Sequence, residues 1–143
     1  MRKGKIKFKQ HDITDCGAAC LASVASYYGL KIPIARLRFI AGTDQRGTNL
    51  LGMVEGAEEL GFQAKAIRIA PENLDQIPTP CIAHLVTREQ ISHYVVIYKL
   101  GKKNLRIMDP ATGATESVKR QEFQETWTKI LIVLFPSSHF KKG

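Results

Sequence analysis

No stretch of the chain approaches the ~18 consecutive apolar residues that a membrane-spanning helix needs. Its basic start, MRKGKIKFKQ, has no apolar segment of the kind that marks a secretory signal, so nothing sends the chain out of the cytoplasm by itself. No G-x-x-x-x-G-K-S/T loop occurs, which excludes ATP binding by that route. There are no internal repeats and no low-complexity tracts. Cysteine is sparse: three residues, at 16, 20 and 81, make an odd number without disulfide-framework spacing, so reduced thiols are expected. Acidic residues are short as well, with 13 Asp and Glu against 21 Lys and Arg, a formal net charge of +8. Much of the excess lies at the ends, in Arg2, Lys3, Lys5, Lys7, Lys9, Lys141 and Lys142. It suits either a solvated surface or attraction to an acidic peptide or an anionic membrane face. Nucleic acid is disfavoured as a partner, since no recognition motif or interleaved aromatic-basic run is present.

What remains is the composition of an ordinary globular protein, 143 residues with 44% apolar and 24% charged side chains. That length favours one domain over 1–143, with a core of about 8–136 between basic ends. The first half reads as helices. Residues 16–28 carry Cys20, Val24 and Tyr27 or Tyr28 at helical spacing. Pro33 starts a second helix that bears Ile34, Leu37 and Ile40 and ends at Gly42. After a loop, GTDQRGT, Thr48 or Asn49 caps a third, with Leu50, Met53, Val54, Ala57 and Leu60 on one face and Glu55, Glu58 and Glu59 on the wet side. The second half reads as strands at 62–69, 81–86, 93–98, 105–109 and 130–135. A helical turn at 72–76 and a short helix carrying Phe123 and Trp127 interrupt them. Helices first and an antiparallel sheet second make an α+β domain, with N-terminal helices packed on a C-terminal sheet.

The segment QHDITDCGAACL holds the chemistry. Cys16 opens the first helix behind Asp15, a good capping residue. A thiol in a first helical turn feels the positive end of the helix dipole and unpaired backbone N–H groups, and both favour the nucleophilic thiolate. Downstream, a hairpin centred near residue 101 or 102 places His93 opposite residues 109–111, within reach of Asp109. A slip of one residue would turn Asp109 away. Gln10 lies a short loop from the thiol, so its amide and the Cys16 backbone N–H could face one developing oxyanion. Nucleophile, base, base-orienter and oxyanion donor make the inventory of a cysteine hydrolase.

Bland alternatives stand beside these. Cys16 and Cys20, a helical turn apart, are a weak zinc signal without a second close pair, so no metal is expected and Cys20 and Cys81 read as core. His84 sits mid-strand as a satisfied histidine, His11 borders the loop and His139 is in the tail. Asp109 could merely cap the turn Asp-Pro-Ala-Thr-Gly, and Asp12 could brace a loop.

The motifs Gln10…Asp15-Cys16-Gly17-Ala18-Ala19-Cys20-Leu21, Thr48-Asn49-Leu50-Leu51-Gly52, His93-Tyr94-Val95-Val96 and Asp109-Pro110 resemble the N-terminal peptidase domains of bacteriocin-exporting ABC transporters. The likeness covers roughly 8–136. It implies a papain-like fold and a cytoplasmic-side cysteine endopeptidase that removes leader peptides after a double-glycine-type pair, with no cofactor. On these positions it makes Cys16 the nucleophile, His93 the base, Asp109 its orienter and Gln10 the oxyanion donor. The implied partners are a precursor whose leader is an amphipathic helix and the transmembrane and nucleotide-binding domains of the transporter. Leu50, Leu51 and Met53 are candidates for the leader groove, although Leu50 and Met53 read equally well as core. Two other classes remain open: a leader-binding module that does not cut, and a transglutaminase-like acyl transferase.

Overall fold

The computed structural model describes residues 15–42 and 48–138. Three helices come first. Helix α1 (Cys16–Tyr27) is buried at every position from Cys16 to Ser26. Its sequence explains this, since Gly, Ala, Ser and Cys dominate and let neighbours approach from all sides. A helix buried all round has no wet face to sharpen its periodicity, so the spaced stripe expected from Cys20 and Val24 understates the burial. Helix α2 (Ile34–Ile40) follows Pro33 and buries Ile34 and Leu37. Helix α3 (Leu50–Glu59) is capped by Asn49, whose Oδ1 accepts the Gly52 N–H at 2.7 Å. Glu55, Glu58 and Glu59 face solvent, as the spacing predicts.

Six strands follow: β1 (Phe62–Arg68), β2 (Cys81–Val86), β3 (Ser92–Leu100), β4 (Asn104–Asp109), β5 (Ala114–Lys119) and β6 (Trp127–Pro136). They form one antiparallel sheet in the order β1-β6-β2-β3-β4-β5. The α+β class is as expected. Strand β5 is the one that sequence reasoning passed over. Four of its six residues are exposed and two half-buried, with no fully buried position, so its apolar signal is faint, and its pairing with β4 defines it. Helix α4 (Arg120–Thr126) keeps Phe123, but Trp127 belongs to β6 rather than to the helix. The two rings still pack, with centroids 5.2 Å apart.

The sheet separates two cores. On one face α1 lies over β3 with α2 and α3 beside it, so Cys20, Leu21 and Val24 meet Tyr94, Val96 and Met108. On the other, Val95, Ile97, Leu105 and Ile107 pack against Leu74 of a 3-10 turn (Pro71–Gln76), Phe123 and Trp127. Residues adjacent in β3 thus alternate between the two cores. A hydroxyl pair, Ser23 with Tyr98, ties α1 to β3 inside the first core. Among the described residues no helix is long and apolar enough to cross a membrane.

Candidate active site

Cys16 is the first residue of α1 and only 4% exposed. The helix start fits tightly against the approach to α3. A methyl on Gly17 would lie 2.8 Å from Met53 Sδ and 3.1 Å from Thr48 Cβ, so a side chain after the thiol would make the Met53 and Thr48 side chains give way. Gly52 is tighter still, because a Cβ there would lie 2.2 Å from the Ala41 carbonyl oxygen. These absent side chains let α1, α2 and α3 converge beside the thiol.

His93 and Asp109 come from adjacent strands. His93 Nε2 and Asp109 Oδ1 are 2.8 Å apart. The register runs Val96↔Met108 and Ile97↔Ile107, which continued by one step puts Asp109 level with Val95. His93 is therefore a diagonal neighbour of Asp109, two residues off, and a long imidazole spans that offset. The same Asp109 oxygen accepts the Ala111 N–H at 2.9 Å, and the Asp109 carbonyl accepts from Gly113 N–H at 2.8 Å. Turn capping and ring orientation are thus one job for this carboxylate, not rival explanations of it.

By alternation, His93 and Asp109 have the parity of the face turned away from α1. Both are strand-end residues, near the start of β3 and at the end of β4. Their side chains stand at the end of the sheet, where the N-terminus of α1 also lies, and Cys16 is close enough to the His93 ring to help raise its pKa. With Nε2 committed to Asp109, Nδ1 is the ring nitrogen left for the thiol.

Burial alone would lower the His93 pKa, but hydrogen bonds to Asp109 and Cys16, with the charges of both, outweigh it and push it up to about 9. Burial would raise the Asp109 carboxyl; its hydrogen bond to His93, the charge of that ring and the Ala111 N–H hold it below its ordinary value instead. Cys81 is pushed up to about 12 by burial, and burial chiefly raises Cys20 too, so neither shares the environment of a reactive thiol. The arrangement can hold a thiolate beside an imidazolium and deliver both to an electrophilic carbon.

Residues 5–139 match the Peptidase C39 family. The chain belongs to that family. It is 39% identical over 134 residues to the lactococcin-G-processing and transport ATP-binding protein of Lactococcus lactis subsp. lactis, covering 92% of this chain and 19% of that one. Against the transport/processing ATP-binding protein ComA of Streptococcus pneumoniae the identity is 36% over 145 residues, covering 99% and 20%. The chain thus spans about a fifth of the length of these relatives. Among solved structures, the peptidase domain of Streptococcus ComA superposes with a TM-score of 0.87 at 36% identity, covering 94% of this chain and 100% of that one. A double glycine motif protease from an AMS/PCAT transporter, in complex with its leader peptide, gives 0.86 at 31% identity, covering 95% and 94%. The papain-like architecture expected from the motifs is the architecture of this C39 domain.

Other sequence expectations divide. Gln10 lies outside the described residues. Cys20 and Cys81 are fully buried core residues, and Met53 is core as well. Leu51, 65% exposed, remains free to meet a ligand, while Leu50 is half-buried. His84 is satisfied, with Nδ1 3.0 Å from Thr128 Oγ1 and Nε2 2.6 Å from Ser92 Oγ. Among the described residues no three His, Cys, Asp or Glu side chains are grouped to hold a metal ion. Asp15 does not cap α1, contrary to the sequence reading; its carboxylate is fully buried against Arg38 of α2. Nothing in the spacing of Arg38 marked it, because the contact joins two helices.

Proposed function

We propose that this C39 domain is a cysteine endopeptidase that removes the leader from a bacteriocin-type precursor after a double-glycine-type pair, in a protein that couples cleavage to export through an ABC transporter. The observation that carries the reading is the contact series Cys16–His93–Asp109 at the start of α1. The relatives are named for processing and transport, and the leader-bound neighbour for a double glycine motif, which supports the same substrate class.

In this reading Cys16 is the nucleophile and His93 the acid and base. His93, pushed up to about 9, carries its proton at neutral pH, and the nucleophile in this reading is the thiolate form of Cys16 beside that imidazolium. The thiolate sulfur bonds to the carbonyl carbon of the last leader Gly, and negative charge moves to the carbonyl oxygen. The Cys16 backbone N–H and the Gln10 amide donate to that oxygen. As the carbonyl re-forms, the C–N bond breaks and the departing amine takes the His93 proton. His93 then draws a proton from water, the hydroxide displaces the thioester sulfur, and the leader leaves as an acid. Asp109 holds the ring oriented and stabilises its charged form throughout.

The test is mass spectrometry of a double-glycine precursor incubated with the protein, with and without an added amine. A mature peptide cut after the Gly pair supports the reading. An intact precursor returned in complex would make the domain a binding module, and an amide of the leader in place of the acid would make it an acyl transferase.

A further inference from the structure

Asp15 occupies the position from which a carboxylate ordinarily turns onto the free N–H groups of a helix, one residue before the thiol, and it does not do so. Its side chain is 0% exposed, and Oδ1 lies 2.6 Å from Nε of Arg38, a residue 41% exposed. The contact is one of charge rather than of alignment: among the described residues neither Asp15 oxygen nor Arg38 Nε makes a hydrogen bond. The position of Arg38 is set by packing. Ala41, near the end of its own helix, presses on α3 where only the missing side chains of Gly52 and Gly56 leave room.

A capped α1 would have its first-turn donors occupied and its positive end neutralised by a full negative charge. The open donors and the positive helix end are what favour a Cys16 thiolate. We infer that Arg38 is a positioning residue for the nucleophile: it draws the Asp15 carboxylate off the N-terminus of α1 and so keeps those N–H groups open to the site. The inference rests on Cys16 being the nucleophile and extends that reading to a residue of another helix.

The experiment measures alkylation of Cys16 by iodoacetamide at neutral pH, with kcat and KM on the double-glycine precursor and the thermal midpoint alongside. Cys20 and Cys81 have no exposed surface, against 4% for Cys16, and burial raises the pKa of both, so they do not compete for the reagent. Arg38→Met keeps the aliphatic stem and removes the charge, so Asp15 falls back onto the helix. Alkylation and kcat should drop roughly three- to tenfold, with KM unchanged within about a factor of two. Arg38→Lys should restore most of both. In Arg38→Met with Asp15→Ala, no carboxylate remains to block the donors, and alkylation should recover above that of Arg38→Met alone.

A wild-type alkylation rate in Arg38→Met overturns the inference. So does a double variant no faster than the single one with no rescue by lysine, since the pair would then merely hold α2 on α1. Should the double variant fail to fold, the lysine rescue decides alone. A precursor left uncut by the wild type, with the alkylation pattern intact, would count against the cleavage reading and leave this inference standing.

Discussion

His93 Nε2 and Asp109 Oδ1 meet at 2.8 Å across a diagonal of the β3–β4 hairpin, and the same oxygen accepts the Ala111 N–H. One carboxylate oxygen therefore locks the turn after β4 and the ring at the start of β3 together.

Replacing Asp109 by Asn should lower kcat while the domain stays folded. The amide can still touch the ring but cannot stabilise its charge, and it can select the wrong tautomer. The alkaline limb of the pH–rate profile, expected near 9 in the wild type from the raised His93, should move to lower pH because the contribution that raises His93 is lost. An unmoved limb with unchanged kcat would leave Asp109 as a turn cap alone.

The same pair carries a stability signature. A raised histidine pKa contributes fully below its ordinary value of about 6.5, and the contribution is lost as pH rises through about 9. A lowered carboxyl contributes above its ordinary value and is lost as pH falls through the lowered one. The gap in thermal midpoint between wild type and Asp109→Asn should be widest near pH 5–6, by the ordinary values of about 4 and 6.5, and should close toward pH 10. A gap constant over that range would show that the two groups are not coupled.

Cys16→Ala should abolish cleavage and keep precursor binding, whereas Cys20→Ala should keep activity and lose stability. Cys20 is fully buried in the core beneath α1, and its thiol is held protonated chiefly by burial. Full activity in Cys16→Ala, read by mass spectrometry of the product, would end the thiol mechanism.

Gln10→Ala should reduce kcat by ~10²–10³ with little change in KM, the loss expected for one oxyanion donor. Iodoacetamide alkylation of Cys16 forms no oxyanion and should continue at the wild-type rate. If alkylation and kcat fell together, Gln10 would be organising the loop instead.

Gly52→Ala should destabilise the fold by about 1–3 kcal/mol, because its methyl would meet a backbone oxygen rather than a side chain that can move aside. Denaturant unfolding measures the loss. A neutral change would mean that α3 shifts away from Ala41 without cost.

Much of this protein is written in short-range signals. The Asn49 cap, the breaks after Tyr28 and Gly42, and the alternation in HYVVIY are local, so one stretch of chain is enough to read them. The pairing of His93 with Asp109 was legible for the same reason: a short hairpin turns a count of residues into an approximate distance. Its diagonal offset was not, because register depends on how the strands twist and where they bulge, as between Ile97 and Lys99. Alternation alone would also have left both residues behind the sheet. Contact with Cys16 depends on where α1 ends relative to the strand ends, and the packing of α1 on β3 decides that. Strand β5 needed its partner β4 to exist, since a mostly exposed edge strand buries too little to leave a hydrophobic pattern. The turn of Asp15 from cap to ion pair required Arg38 from another helix. A local rule ranks only the partners within a few residues, and the partner that prevailed came from a helix that tertiary packing brought alongside.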